Sequence, residues 1–386
     1  MTRRAAAVLV ATVAVFAAVA GLSGVGDVAG TGMARASAAP PPGTAPPSAG
    51  TGTGLPSPDL ASPPPTTRPP TGSGRPVTIA FGGDSHFESF LRTRLDSEGA
   101  EMLAPLGALF AGADLSLVNL ETAITERGAP ETKEWTFRAP TSALEVLAAA
   151  GIDAVTMANN HGVDFGQQGL EDTLAARDAA PLAVIGVGRD ATEAYAPFRA
   201  EVDGQRIAVI GATQVLDAHL IGPWTARDAA PGVAPRPGLA SAKDVDRLVQ
   251  AVAEARATSD TVVVFLHWGL ERSECPTTTQ QELTPVLLAA GADIVVGGHS
   301  HRVEGAGRSG EGFVAYGLGN FVWFNGSGPN GDSGVLLVTA TGRRIDGYEW
   351  RPARIRDGVP TALEGAEADA ARSRWESLRA CTGLTP

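Results

Sequence analysis

From Val77 onward, short apolar, β-branched runs alternate with Ala- and Leu-rich stretches of helical spacing. The first kind predicts strands at 77–82, 114–119, 153–158, 182–187, 206–212, 261–267, 292–297, 312–317 and 334–340. The second predicts helices at 142–150, 166–177, 241–257 and 278–290. Strand–helix alternation of this kind builds an α/β fold with largely parallel pairing. After residue 312 the strand–turn spacing predicts antiparallel pairing instead. No internal repeat is evident.

Before Val77 the pattern is different. Arg3-Arg4 precedes the apolar run Ala5–Leu22, and Ala36-Ser37-Ala38 offers a small-x-small cleavage site. Residues 1–38 therefore read as a cleaved signal peptide or as an uncleaved N-terminal membrane anchor, since the run approaches spanning length. Either one places the remainder outside the cytoplasm, secreted or held at the cell membrane. No cysteine lies near the segment, which argues against a lipoprotein anchor. Residues 39–76 are dominated by Pro, Gly, Ser and Thr, cannot bury a core, and read as a disordered spacer. The folded domain is expected over 77–386. With 386 residues, 44% of them hydrophobic, the chain can hold one large domain or two small ones. A formal net charge of −12 argues against sequence-independent nucleic-acid binding, which needs cations to neutralise phosphates.

The histidines carry the candidate chemistry. In Ala290–Val303, AGADIVVGGHSHRV, a buried-strand pattern runs into Gly297-Gly298 and then His299 and His301. The two glycines are expected to make a tight turn that delivers both imidazoles to a cleft. Of the six histidines, five follow closely on an apolar run: His86, His161, His267, His299 and His301. Parallel α/β folds gather their chemistry at the carboxyl ends of strands, so these runs are expected to converge on one site. Neutral imidazole is a common ligand for borderline divalent metals. Asp84 and His86, two apart on an extended segment, share a side.

The ordered set Asp84-x-His86, Asn119-Leu120-Glu121, Asn160-His161, His267 and Gly298-His299-x-His301 resembles the calcineurin-like metallophosphoesterases. It resembles more closely their CapA-type branch, the bacterial capsule or poly-γ-glutamate synthesis proteins. Phrases similar to that branch are NLETAIT (119–125), FRAP (137–140), ANNHGVDFGQQGL (158–170), HWGLE (267–271), GADIVVGGHSH (291–301) and YGLGNFVW (316–323). The resemblance implies an αββα sandwich of two mixed sheets flanked by helices. It implies two divalent ions, drawn from Mn, Fe, Zn or Mg. Asp84, His86, Glu121 and His301 would hold the first, and Glu121, Asn160, His267 and His299 the second. The general superfamily has a bridging aspartate where this chain has Asn119 and Glu121; the anionic Glu121 is the better bridge, and Asn119 would orient it. The resemblance also gives His161 the part of an acid or oxyanion stabiliser near the leaving group. Asp164, three residues on, would hold His161 in one tautomer.

Arg138, Glu271 and Asn320 are candidates for substrate contact, although each also has an ordinary structural reading. Trp268, Phe321, Trp323 and Phe324 read as core or cleft wall, and His219 lies outside every motif. Cys275 and Cys381 are the only cysteines, and in an exported chain an even pair reads as a disulfide; metal binding by Cys275 is the rival reading. The function implied is a metal-dependent hydrolase or transferase of phosphoester or amide bonds. It would act on an anionic cell-envelope polymer or its precursors, beside a membrane-bound polymer-synthesis complex. The alternatives are a non-catalytic assembly or scaffold component and a secreted phosphatase or nucleotidase.

Overall fold

The computed structural model describes residues 71–386, so the export segment 1–38 and nearly all of the spacer 39–76 lie outside the described residues. In chain order the strands of the two principal sheets are β1 (Val77–Ser85), β2 (Leu115–Leu120), β3 (Ala154–Thr156), β4 (Ala183–Ile185), β5 (Phe198–Val202), β6 (Gln205–Thr213), β7 (Thr261–His267), β8 (Ile294–Gly298), β9 (Ala306–Ser309), β10 (Gly312–Ala315), β11 (Asp332–Thr341), β12 (Arg344–Arg356) and β13 (Val359–Ala362). One sheet has the order β13-β12-β11-β1-β2-β3-β4 and the other β9-β10-β8-β7-β6-β5. Strands β1 to β4 run parallel, as do β6, β7, β8 and β10. The antiparallel pairs lie at the flanks, including β11–β12 and β12–β13. Past residue 312 the expected antiparallel pairing is therefore found, except that β10 also pairs in parallel with β8.

Alternate side chains of a strand face opposite ways, and this makes the layers. Ile79 and Phe81 of β1 face Val263 and Phe265 of β7 across the space between the sheets, with Phe81 edge-on to Phe265 at 6.3 Å. Ala80 and Val118 turn outward onto α1 (Phe90–Glu98), α2 (Ser142–Ala149) and α3 (Gly166–Ala179) through Leu91, Leu144, Leu147 and Leu170. Val262, Val264 and Leu266 turn outward the other way, onto Leu248 and Val252 of α4 (Val245–Thr258) and Leu283 and Leu287 of α5 (Thr278–Ala290). The result is a helix–sheet–sheet–helix sandwich.

The ends of the helices are written locally. Helix α4 starts at Val245 rather than at 241 because the Asp244 carboxylate accepts the Arg247 N–H and caps it. Helix α5 opens on a Thr277–Gln280 capping box and ends at Gly291, whose φ of 118° suits glycine. The pattern did not predict β12, whose outward residues are charged, nor α1, which buries only Leu91 and Leu95. It also missed α6 (Gly365–Ser377), which is anchored by Trp375 stacked on Trp350 at 5.5 Å. No helix among the described residues is long and apolar enough to cross a membrane.

Candidate metal centre

Parallel strands that end level with one another build the site. In the first sheet Asp84 sits opposite Asn119, with Glu121 just beyond β2 and Asn159 to His161 beyond β3. In the second, His267 at the end of β7 pairs with Gly298 at the end of β8. The expected Gly-Gly turn is not where the chain bends. Gly297 and Gly298 remain in β8, and His299 (φ 90°) and His301 (φ 51°) take the left-handed backbone instead. The glycines serve close approach: a Cβ on Gly298 would collide with Asp84 Oδ1, and one on Gly297 with Trp268 Nε1. Holding two histidines at positive φ costs on the order of 1–3 kcal/mol each, the kind of strain that concentrates at functional sites.

Three sets of ligand atoms come within 4.8 Å of one another: Glu121, His267 and His299; Asp84, Glu121 and His301; and Glu271, His299 and His301. Glu121 belongs to two of them. Asn160 Oδ1 lies 2.6 Å from His267 Nε2, beside the first set. Asn119 is fully engaged as a brace. Its Nδ2 donates to Asp84 Oδ1 (2.8 Å) and faces His267 Nδ1 (3.1 Å), and its Oδ1 accepts from Asn159 (3.0 Å). The His299 N–H holds the other Asp84 oxygen at 2.8 Å. His86 stands beside these sets and belongs to none of them. Its Nδ1 accepts the Glu88 N–H at 3.0 Å, and its ring stacks on Phe137 with centroids 4.6 Å apart.

Glu121 is wholly buried, yet neither carboxylate oxygen has a hydrogen-bond partner; His86 Nε2 and His299 Nδ1 are also buried and unpartnered. Native interiors satisfy nearly all such groups. Burial, reinforced by the charge of Asp84, pushes the Glu121 carboxyl well above the usual carboxylate range. Burial holds His86, His161 and His267 well below the usual imidazole value and brings His299 down to about 3. Neutral imidazoles and a bare carboxylate make a mixed N/O donor set that fits a divalent cation, which would supply the partner Glu121 lacks.

His161 is held from behind. Its Nδ1 lies 2.5 Å from Asp164 Oδ2, which also accepts the Phe137 N–H at 2.7 Å. The Lys133 ammonium donates to Asp164 Oδ1 at 2.8 Å and to the Asn160 carbonyl. Burial raises the Asp164 carboxyl to about 7 although Lys133 pulls it down. With Nδ1 directed at Asp164, His161 Nε2 is left facing Glu121 Oε1 at 3.8 Å.

Two pockets open onto this centre. The larger, 470 Å³, includes His161, His301, Asn320, Glu271, Arg302 and Trp323 in its wall, and the second, 370 Å³, includes Lys133, Asn160, Asp217 and His219. Asn320 Oδ1 lies 2.9 Å from His301 Nδ1 and steadies that ring. Arg138 is placed elsewhere: its guanidinium lies over the Phe165 ring, 4.7 Å from the centroid, and it lines neither pocket. The aromatics divide as expected, with Trp268 and Phe321 in the core and Trp323 and Phe324 on the pocket wall. Cys275 and Cys381 form a disulfide, which ties the segment after Glu271 to the C-terminal tail.

Sequence reasoning passed over Lys133, Phe137 and Asn159. A lysine between Thr132 and Glu134 reads as solvated, and nothing in its neighbours marks its burial. Phe137 lies in the FRAP phrase, where the charge of Arg138 is the stronger signal; its ring stacks on His161 at 4.0 Å as well as on His86. Asn159 precedes the candidate ligand Asn160 and carries no signal of its own, and only the fold shows its amide reaching Asn119 and the Leu120 carbonyl.

Comparison with known proteins bears on the same stretch. The PGA biosynthesis protein CapA of Bacillus subtilis (strain 168) is 28% identical over 296 residues, covering 75% of this chain and 74% of that protein. The capsule biosynthesis protein CapA of Bacillus anthracis is 29% identical over 227 residues, covering 58% of this chain and 53% of that one. Among solved structures, a hypothetical protein from Thermus thermophilus aligns with a TM-score of 0.45 at 16% identity, over 72% of this chain and 100% of the other. A 5'-nucleotidase from Candida albicans aligns at 0.41 and 10% identity, over 78% of this chain and 58% of the other. Residues 78–325 match the family model described as bacterial capsule synthesis protein PGA_cap. That match spans well over half of the chain and every loop that brings a candidate ligand to the centre, and the chain accordingly belongs to the bacterial capsule synthesis PGA_cap family.

Proposed function

We propose that this chain is an exported, metal-dependent hydrolase or transferase acting on an anionic cell-envelope polymer during capsule or poly-γ-glutamate synthesis. The observation that carries the reading is Glu121, wholly buried with both oxygens unpartnered, at the meeting point of two ligand sets. Asp84, His86, Glu121 and His301 would hold one ion, and Glu121, Asn160, His267 and His299 the other. Bound divalent ions supply Lewis acidity and activate water at neutral pH. The chain's own groups do the rest. His161 takes up or releases a proton at Nε2, Asp164 fixes its Nδ1, and Lys133 steadies Asp164. Glu271 and Asn320 face the substrate from the pocket wall. The bond acted on is a phosphoester or an amide, and the setting is the outer side of the membrane, next to the polymer-synthesis machinery. The names of the Bacillus relatives, both tied to capsule or PGA biosynthesis, support that setting.

Elemental analysis tests it first. Protein purified without chelator and offered Mn, Fe, Zn and Mg should take up metal, and a panel of phosphoesters and γ-glutamyl amides should then show turnover. Uptake of no metal would replace the catalytic reading with that of an assembly scaffold. A single ion would remove the bridging part given to Glu121. N-terminal sequencing of envelope material should begin near Ala39; an unprocessed chain in the membrane would favour an anchor, and one in the cytosol would overturn export.

A further inference from the structure

We propose that Arg272 and Arg302 form an anion-recognition subsite on one side of the centre, in a cleft that a linear, multiply charged chain can run through. The inference rests on the polymer-directed reading above and names the groups that would recognise the polymer. The two pockets are neighbours with a common wall: Trp135, His161, Glu271 and Arg272 line both. Space therefore lies on either side of His161. Space on both sides of a reactive group suits an internal segment of a chain better than a single terminal unit.

The two sides differ in charge. The 470 Å³ side carries two arginines against one acid, Glu271, together with the neutral amides of Asn320, Asn325 and Asn330 and the rings of Trp135 and Trp323. The 370 Å³ side carries three acids, Glu134, Asp217 and Glu271, against Lys133 and Arg272. In a protein of net charge −12, arginines without acid partners near the centre stand out. The arginines elsewhere on the surface mostly pair with carboxylates, as Arg92, Arg94, Arg189 and Arg354 do. Arg272 does not. Glu274, two residues away, pairs instead with Arg374, and no hydrogen bond or ion pair to the Arg272 guanidinium is present among the described residues.

The backbone of Arg272 is held at φ 63°, and its N–H donates to the Ser300 carbonyl at 2.7 Å, within the His299–His301 loop. The Cys275–Cys381 disulfide fixes the same segment from its other side. An unpaired guanidinium on a segment held at both ends is preorganised for a ligand. Arg302 donates through one nitrogen to the His301 carbonyl and to Asn330 Oδ1, and has no acid partner among the described residues. A guanidinium fork matches carboxylate and phosphate oxygens alike. The ligand chemistry assigned is thus a row of anionic groups along a flexible chain, and carboxylates and phosphates are its two sources.

Binding of a short linear γ-linked oligoglutamate, its neutral methyl ester, and inorganic tripolyphosphate to the full chain tests this by calorimetry. Wild type, Arg272→Gln, Arg302→Gln, Arg272→Lys and Arg199→Gln would be compared, each with and without chelator and each with its metal content measured. Arg199 lies on the edge strand β5, away from the cleft wall, and serves as the control. Each of the two cleft variants should weaken binding of the anionic probe by about tenfold or more, the worth of one charge-assisted hydrogen bond. Arg272→Lys should recover part of the loss, and Arg199→Gln should change nothing. The probe that loses affinity tells carboxylate from phosphate. Equal binding of the methyl ester, or cleft variants that behave like Arg199→Gln, would overturn the subsite. Arginine-dependent binding in protein that takes up no metal would leave the subsite standing and refute the metal-dependent function. Metal uptake with arginine-independent binding would do the reverse.

Discussion

Asp293 and Glu121 are both carboxylates buried beside strand ends, and the chain treats them in opposite ways. Asp293 precedes β8. Its Oδ2 accepts from Arg256 (2.6 Å) and the Val262 N–H (2.9 Å), and its Oδ1 accepts from Arg343 (3.1 Å). Glu121 follows β2 and accepts from nothing. Burial pushes both carboxyls upward; at Asp293 Arg256 and Arg343 pull back, whereas at Glu121 Asp84 pushes further. A carboxylate that ties elements together is surrounded by donors from its own chain. One left bare amid neutral imidazoles, where parallel strands end, marks a place whose partner comes from outside the chain.

The largest expected effect lies on the bare side. His161→Ala should lower turnover by roughly 10²–10⁴-fold, the usual share of a positioned acid or base, and leave metal content unchanged in elemental analysis. A parallel loss of metal would turn His161 into a ligand and redraw the centre. Next comes the contrast itself. Asp293→Asn should destabilise the fold by about 3–5 kcal/mol, because it strands a buried arginine, with metal uptake intact. Glu121→Gln should abolish metal uptake while the chelated protein stays as stable as wild type or becomes more so, since a neutral amide escapes the cost that burial sets on the ionised carboxylate. Denaturant melts of both variants in chelator decide the matter, and equal losses would erase the distinction.

Removing the Cys275–Cys381 bridge is expected to cost about 2–5 kcal/mol. Unreduced protein should show no alkylatable thiol, and two free thiols would contradict the bridge. The smallest effect concerns Glu304, buried behind the His299–His301 loop with Oε1 unpartnered and raised to about 7 by burial. A carboxyl whose folded value is raised binds its proton more tightly when folded. Its contribution is therefore fully present below the unfolded value near 4.5 and is lost as pH climbs through about 7. Glu304→Gln should match wild type at about pH 4 and be more stable at about pH 8, by at most on the order of 3 kcal/mol at about 1.4 kcal/mol per pH unit. A difference that does not grow between those two values would place the Glu304 proton elsewhere.

What the sequence determined by itself was the periodicity and the chemistry carried at its ends. Alternation such as Val262 to Leu266 fixes which side chains face the other sheet and which face a helix, because a strand offers only two faces. The same runs mark where His267 and His299 emerge, and the order of those motifs was enough to indicate the family. The tertiary structure alone decided what meets across distance. Whether Lys133 is solvated or locked onto Asp164 depends on the chain folding back over a sequence separation of 31. Whether Gly297-Gly298 turns or admits Asp84 depends on the approach of a strand from the far end of the domain, which sets Asp84 Oδ1 against Gly298. The FRAP arginine and Arg272 carry the same charge and both fall within or beside family-like stretches; packing put one over Phe165 and left the other free at the cleft. Local sequence sets propensity and facing, but partnership between buried polar groups is a property of the folded neighbourhood, where the loss of water makes every missing partner costly.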